Sequence, residues 1–209
     1  MSPTPHADHE IASQPEIWSQ VADFAPSVIG LLPKPGERVA ITGCGSSWFM
    51  AMCYAALRES LGHGETDVWV ASEYNFKRKY DRVIALSRSG TTTEVVEATS
   101  KITDPTVVIT AITNSPISAN TTEEIVMPFA DEKSVLQTRW ATAALGLLRI
   151  SLGFDLRSII GDAEKALASD VSEFVELEQI SFLGRSWAYG LAQEAALKTR
   201  ESAQFWAEA

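Results

Sequence analysis

Short apolar runs alternate with longer amphipathic runs along most of the chain. Runs typical of buried strands cover 38–44, 67–72, 81–87, 106–113 and 123–129. Apolar residues at helical spacing cover 10–32, 46–62, 92–102 and 134–153. Because strands and helices take turns, the pattern predicts an α/β fold with a doubly wound, mainly parallel five-stranded sheet, flavodoxin-like, covered by helices on both faces.

The same alternation starts again near the end of the chain. Residues 154–179 are polar with a helical pattern, 180–186 resemble another strand, and 187–209 another helix. We therefore expect a first domain over 1–153, a helical connector over 154–179, and the first strand and helix of a second such domain over 180–209. The apolar residues of that last helix would then need a partner surface.

Composition and charge narrow the classes of function. The chain has 209 residues, of which 45% are hydrophobic and 21% charged, as in a folded globular protein. Its net charge of −10 disfavours non-specific binding to nucleic acid or to an anionic membrane. Cys44 and Cys53 match neither a disulfide framework nor a structural metal site. Because no signal peptide is visible, we expect a cytoplasmic protein.

A glycine-rich segment follows the first predicted strand. Residues 43–47 read Gly-Cys-Gly-Ser-Ser, and glycine there lets a ligand approach the backbone and the N-terminus of the next helix. The segment matches neither the dinucleotide-binding fingerprint nor the P-loop. A tight turn closed by a helix cap explains it equally well, so the motif alone leaves both interpretations open.

A second polar segment follows the strand at 81–87. Residues 87–92 read Ser-Arg-Ser-Gly-Thr-Thr, and a helix cap needs only one of these hydroxyls. We interpret the segment as an anion cradle, in which Arg88 either adds charge or is solvated at the rim. Because ligands bind at the carboxyl edge of open α/β sheets, the two segments predict one pocket for a phosphorylated polyol.

Three charged residues share one face of the last predicted helix. Glu194, Lys198 and Glu201 are spaced at i, i+4 and i+7. A ladder of surface ion pairs explains this spacing, and so does a carboxylate base held beside a lysine. The spacing alone does not choose between them.

Taken together and in this order, the motifs resemble the sugar isomerase (SIS) family. The resemblance is strongest to the isomerase half of glutamine–fructose-6-phosphate aminotransferase and to stand-alone phosphosugar isomerases and deaminases. It extends over about 10–209 and includes two further segments, 71–76 and 134–142. Arg88 stands where the aminotransferase usually has glutamine, which favours the stand-alone enzymes.

The resemblance implies a role for each matching residue. Glu201 would move a proton between C1 and C2 of an (amino)sugar 6-phosphate, with Lys198 as a second catalytic residue beside it. The substrate-binding residues would be Cys44, Gly45, Ser46, Ser47, Ser87, Arg88 through its amide, Ser89, Gly90, Thr92, Val135 and Gln137. The resemblance implies no metal and no cofactor. It also implies a homodimer, because the family's ring-opening histidine comes from a neighbouring subunit.

Two other interpretations remain. The chain could be a sugar-phosphate-binding module that senses its ligand without chemistry, or a truncated piece that binds without turnover. The binding module predicts that Ser87→Ala and Ser89→Ala abolish binding and that Glu201→Gln has no measurable effect, whereas an isomerase or deaminase needs that carboxylate.

Overall fold

The computed structural model describes residues 5–209 and contains one five-stranded parallel sheet. Its strands are β1 (Val39–Gly43), β2 (Thr66–Val70), β3 (Arg82–Leu86), β4 (Thr106–Thr110) and β5 (Glu123–Val126). They pair in the order β2-β1-β3-β4-β5. The strand order therefore reverses between β1 and β3, and the predicted doubly wound α/β fold is confirmed.

Helices cover both faces of the sheet. They are α1 (Pro5–Ala12), α2 (Gln14–Val28), α3 (Ser46–Ser60), α4 (Thr93–Lys101), α5 (Arg139–Ser151), α6 (Ile160–Leu167) and α7 (Trp187–Ala203). Alternate residues of one strand belong to different cores, as a period of two requires. Ile84 and Leu86 pack in the core that contains α2, α3 and α5, whereas Val83 and Ala85 pack in the core that contains α4.

The N-terminal helical pattern, predicted as one helix over 10–32, forms two. The chain breaks between α1 and α2 at Ser13, and Pro15 lies in the first turn of α2. Proline fits there because the first amides of a helix have no acceptor within it. None of the helices within 5–209 is long and apolar enough to cross a membrane.

The last predicted helix ends before the chain does. Gln204 has φ +52°, a left-handed conformation that terminates α7. The next residues form β7 (Trp206–Glu208), which pairs in parallel with β6 (Gln179–Ser181). The prediction of a helix through 209 is therefore wrong beyond Ala203.

Helix α7 packs against α3 of the five-stranded unit. A Cβ on Gly190 would lie 2.6 Å from the Cys53 Sγ and from the Phe49 carbonyl, so the two helices meet at that glycine. Trp187, Leu191 and Leu197, which we expected to need a partner, pack against the main core. The domain boundaries at 153 and 179 remain a prediction.

Candidate functional site

The two polar segments lie side by side at the carboxyl edge of the sheet. We call 43–47 the first turn and 87–92 the second turn. Strands β1 and β3 pair directly, with Thr42 opposite Ala85, so the two turns leave neighbouring strands. A Cβ on Gly43 would lie 3.1 Å from the Leu86 carbonyl, which shows how closely the chains pass. This is the point where the strand order reverses and where open α/β sheets bind their ligands.

The first turn presents two serines that do not cap the helix. Gly45 has φ +54°, a conformation that favours glycine, and it occupies the cap position of α3. Ser46 and Ser47 are therefore the first residues of the helix itself, with only 4% and 2% of their surface exposed. Neither hydroxyl caps the helix, and that of Ser46 faces the Glu194 carboxylate of α7. Capping does not explain these serines.

The second turn is closed by its own hydroxyls. The Oγ atoms of Ser87 and Thr92 lie 3.2 Å apart, and Ser89 Oγ accepts from the amide and hydroxyl of Thr91. Helix α4 then begins at Thr93 without a side-chain cap. Four backbone amides of the turn donate to no acceptor among residues 5–209: those of Arg88, Ser89, Gly90 and Thr92. Free amides at a helix N-terminus form a concave surface suited to an anion.

Gly90 fixes the shape of the second turn. Its φ is +63°, and a Cβ there would overlap the Cβ and Oγ of Ser115. Its carbonyl accepts from the amide of Ile117 at 3.1 Å. The turn is thus packed directly against the segment that follows β4.

The side chain of Arg88 leaves the turn. Its Nη1 donates to the backbone carbonyls of Glu132 and, at 3.3 Å, Ser134. The alternative in which this side chain is solvated at the rim is therefore wrong, because the side chain is only 19% exposed; that its charge adds to the cradle stays a prediction. A guanidinium has more donors than one turn can use, and two carbonyls of a neighbouring loop accept from it.

The segment 131–138 replaces the first turn of the helix predicted over 134–153; we call it the sugar loop because the family resemblance predicts that its Val135 and Gln137 border the sugar. The buried Glu132 carboxylate accepts from the amides of Thr138 at 2.6 Å, Arg139 at 2.9 Å and Trp140 at 3.2 Å. A carboxylate on these amides stabilises the N-terminus of α5, which therefore begins at Arg139. Val135 and Gln137 remain in the loop, and the Val135 side chain is 96% exposed.

Helix α7 passes close to the first turn. The Leu197 side chain lies 4.0 Å from the position of a Cβ on Gly45. Lys198 Nζ lies 3.5 Å from Glu194 Oε1 and 2.6 Å from Glu201 Oε2. The Glu194 side chain is only 13% exposed, whereas that of Glu201 is 44% exposed. The three residues are an ion-pair ladder, but one whose inner end is buried.

Burial raises the pKa of Glu194 above its ordinary value, against the opposing effects of the Lys198 ammonium and the Ser46 hydroxyl. A raised pKa means that the folded protein favours the neutral acid. The stability contributed by this preference is complete below the unfolded pKa and is lost as the pH rises through the folded pKa. The buried carboxylate therefore costs stability at neutral pH.

We expect Glu194→Gln to raise the free energy of unfolding at pH 7 and to change it little near pH 4. Lys198 keeps Glu201 as its partner in the variant. Urea denaturation between pH 4 and pH 8 measures the effect. The matched control is Glu164→Gln on the exposed surface of α6, which should follow the wild type at every pH. A variant less stable than the wild type at pH 7 would contradict the assignment.

Two acidic residues that shape the site were missed in the sequence. Glu132 lies just before the helix predicted over 134–153, so its position in the sequence indicates a capping role. Glu10 gave no signal, because it lies on α1 and accepts from the amide of Lys133 at 2.6 Å, far away in sequence. Burial acts to raise the Glu10 pKa, but hydrogen bonds from Ser134 and Lys133 bring that pKa below its ordinary value.

Other parts of the described chain offer different surfaces. A cavity of about 520 Å³ lies between α7 and the segment 174–182, and its lining is almost entirely apolar. It includes none of the candidate residues. Within residues 5–209, no group of three or more His, Cys, Asp or Glu side chains is placed to hold a metal ion.

Comparison with known proteins gives the same family of folds as the motifs. No family model matches the chain. The glutamine–fructose-6-phosphate aminotransferase of Sulfolobus acidocaldarius is 27% identical over 205 residues, which cover 90% of this chain and 35% of the relative. The chain thus spans about a third of the length of the curated relatives it matches.

Two solved structures show the fold. Glucosamine-6-phosphate deaminase from Thermotoga maritima has a TM-score of 0.76 and 22% identity, covering 96% of this chain and 68% of that one. Tagatose-6-phosphate ketose/aldose isomerase from Escherichia coli has a TM-score of 0.75 and 19% identity, covering 96% and 65%. The resemblance drawn from the motifs is therefore confirmed: the chain has the fold of the SIS-type phosphosugar isomerases, and its sequence is similar to about a third of the length of glutamine–fructose-6-phosphate aminotransferases.

Proposed function

We propose that this chain binds a phosphorylated sugar or aminosugar at the carboxyl edge of β1 and β3, as part of a phosphosugar isomerase or deaminase. One observation supports the proposal. The free amides of the second turn and the serines of the first turn, which do not cap a helix, lie at the ends of neighbouring strands, where the strand order reverses. That position is the usual ligand site of such sheets. The structural neighbours are named for sugar 6-phosphates, which supports the same class of ligand.

In this proposal the second turn holds the phosphate and the first turn holds the sugar. The phosphate accepts from the amides of Arg88 and Gly90 and from the hydroxyls of Ser87, Ser89 and Thr92. Hydrogen bonds to an ionised phosphate are about twice as strong as neutral ones, so a few placed donors suffice on an acidic protein. The sugar hydroxyls contact Cys44, Gly45, Ser46 and Ser47, with Val135 and Gln137 bordering the other side.

The chemistry is assigned to α7. With the sugar in its open-chain form, the Glu201 carboxylate removes the proton from C2, the electron pair forms the C1–C2 double bond, and the carbonyl oxygen on C1 takes up a proton to give an enediol or enolamine. Delivery of a proton from Glu201 to C1, with loss of the proton on O2, converts the aldose into the ketose. For a 2-amino sugar the same transfer, with loss of a proton from the nitrogen, leaves an imine at C2, and addition of water releases ammonia. Lys198, 2.6 Å from Glu201, holds the base in position and stabilises its charge.

We also propose a cytoplasmic homodimer. The resemblance implies that a neighbouring subunit supplies the ring-opening histidine. The two cysteines are free thiols, which suits a reducing compartment. Sedimentation equilibrium of the full-length protein should give twice the mass of one chain.

The binding proposal is tested by removing hydroxyls from the second turn. Ser87→Ala/Ser89→Ala should weaken the binding of glucosamine 6-phosphate roughly a hundredfold or more, because each of the two hydroxyls lost to a charged group costs about 1.5 kcal/mol or more. Isothermal titration calorimetry measures it. The matched control is Ser100→Ala on α4, whose exposed hydroxyl bonds only to the carbonyl of Glu97.

The phosphate itself provides the second arm of this test. Inorganic phosphate should compete with glucosamine 6-phosphate, and glucosamine should not bind measurably. Equal affinities for glucosamine and for glucosamine 6-phosphate would contradict the proposal. So would an unchanged affinity of Ser87→Ala/Ser89→Ala for glucosamine 6-phosphate.

A further inference from the structure

We propose that Arg88 is a positioning residue that couples the second turn to the sugar loop, so that phosphate binding sets the place of Val135 and Gln137. The inference rests on the proposed function and adds to it a role for a side chain that the phosphate site does not use. It is based on the position of Arg88: its backbone lies in the second turn, and its side chain contacts the sugar loop.

The backbone of Arg88 is fixed within the second turn. Its carbonyl accepts from the amide of Ala111 at 2.9 Å and from the Thr110 hydroxyl at 3.0 Å, both at the end of β4. Its amide is one of the four that donate to no acceptor among the described residues. A phosphate bound to this amide would therefore act on a peptide unit that is already anchored to the sheet.

The side chain of Arg88 is fixed in the sugar loop. Its Nη1 donates to the carbonyls of Glu132 and Ser134, and the side chain is only 19% exposed. The nearest carboxylate, that of Asp131, lies 4.0 Å away. The contact is thus mainly with backbone carbonyls, and it fixes the path of the loop rather than pairing a charge.

Within the described residues, the hydrogen bonds that hold the sugar loop lie near Ser134 and at the start of α5. Near Ser134, Arg88 holds the carbonyl side of the chain, and the Glu10 carboxylate accepts from the amides of Lys133 and Ser134. At the other end, Glu132 accepts from the amides that begin α5. Within residues 5–209, the amides of 135–137 donate to no protein acceptor. Movement of the Arg88 anchor would therefore shift the segment that carries Val135 and Gln137.

The variant Arg88→Lys distinguishes the effect of the positive charge from the effect of the hydrogen bonds to the two loop carbonyls. A planar guanidinium can reach two carbonyls at once, whereas an ammonium is a single point charge on a flexible stem. Arg88→Lys thus keeps the charge beside the phosphate site and loses the bridge to the loop. Arg88→Gln removes both and is a second variant with the same expected effect on the loop.

Hydrogen exchange of the full-length protein tests the coupling. In the wild type, inorganic phosphate or glucosamine 6-phosphate should slow exchange of the amides of 133–138. In Arg88→Lys these amides should exchange about tenfold faster without ligand, and phosphate should no longer slow them. The affinity for inorganic phosphate should fall less than it does in Ser87→Ala/Ser89→Ala, because the amide at position 88 and the turn hydroxyls remain. The control is Arg157→Lys, whose ion pair with Asp23 is exposed.

The readouts separate a failure of this inference from a failure of the proposed function. If the wild type binds neither phosphate nor the sugar phosphate, both are overturned. If it binds phosphate normally and the exchange of 133–138 is the same in wild type, Arg88→Lys and Arg88→Gln, only the coupling is overturned. Loss of phosphate affinity in Arg88→Lys as large as in Ser87→Ala/Ser89→Ala would also overturn it, since Arg88 would then be a phosphate ligand.

Discussion

Replacement of Gly90 by alanine is expected to lower the free energy of unfolding by about 2–4 kcal/mol and to remove measurable binding of a sugar phosphate. The φ of +63° alone costs an alanine roughly 1 kcal/mol. The larger effect comes from packing, because the new Cβ would overlap the Ser115 side chain, which is 5% exposed. Either the second turn or the segment after β4 must move, and each movement displaces the free amides.

Chemical denaturation measures the stability of Gly90→Ala, and calorimetry measures its affinity for glucosamine 6-phosphate. The matched control is Gly161→Ala in α6, where a Cβ meets no atom within 4 Å. Because alanine favours helix over glycine, that control should be as stable as the wild type or more stable by up to about 1 kcal/mol. The double variant Gly90→Ala/Ser115→Gly removes the overlapping atoms and should recover part of the stability. Wild-type stability and affinity in Gly90→Ala would contradict this account of the turn.

The central strands β1, β3 and β4 were predictable because nearly all their residues are buried on both faces. The strand expected over 81–87 is found as Arg82–Leu86, and the strand expected over 106–113 as Thr106–Thr110. A continuous apolar run bounded by polar turns is characteristic of a parallel sheet covered on both sides. The positions of the two turns followed from the fold, since parallel strands end at a common edge.

The contacts that complete the site were not predictable, because they join residues far apart in the sequence. Arg88 reaches carbonyls more than 40 residues away, and Glu10 reaches amides more than 120 residues away. A hydrophobicity pattern describes which face of an element is buried, and it contains no information about such pairs. The packing of α7 on α3 likewise depends on Gly190, a helical glycine that the pattern treats as neutral.

Glu201→Gln is expected to reduce kcat of the full-length protein by roughly 10²–10⁴, which is the usual contribution of a general base. Glutamine retains the size of glutamate and an oxygen that can accept from Lys198 Nζ, but it cannot take a proton from carbon. Binding of glucosamine 6-phosphate should therefore stay within about threefold of the wild type, since phosphate affinity depends on the second turn. Exchange of the C2 hydrogen with solvent, followed by NMR in deuterated water, measures the proton transfer directly. The exposed Glu164→Gln on α6 is the control.

Glu201→Asp distinguishes a base from a member of an ion-pair ladder. Aspartate remains a carboxylate but is one methylene shorter, so it loses the 2.6 Å contact with Lys198 and keeps the ability to accept a proton. A base should give exchange in Glu201→Asp that is intermediate between the wild type and Glu201→Gln. An ion-pair role alone should alter stability in both variants and leave the exchange rate unchanged. A wild-type protein that binds the sugar phosphate tightly and exchanges no C2 hydrogen would contradict the catalytic proposal and favour the sugar-phosphate-binding module, because the second turn binds without the carboxylate of α7.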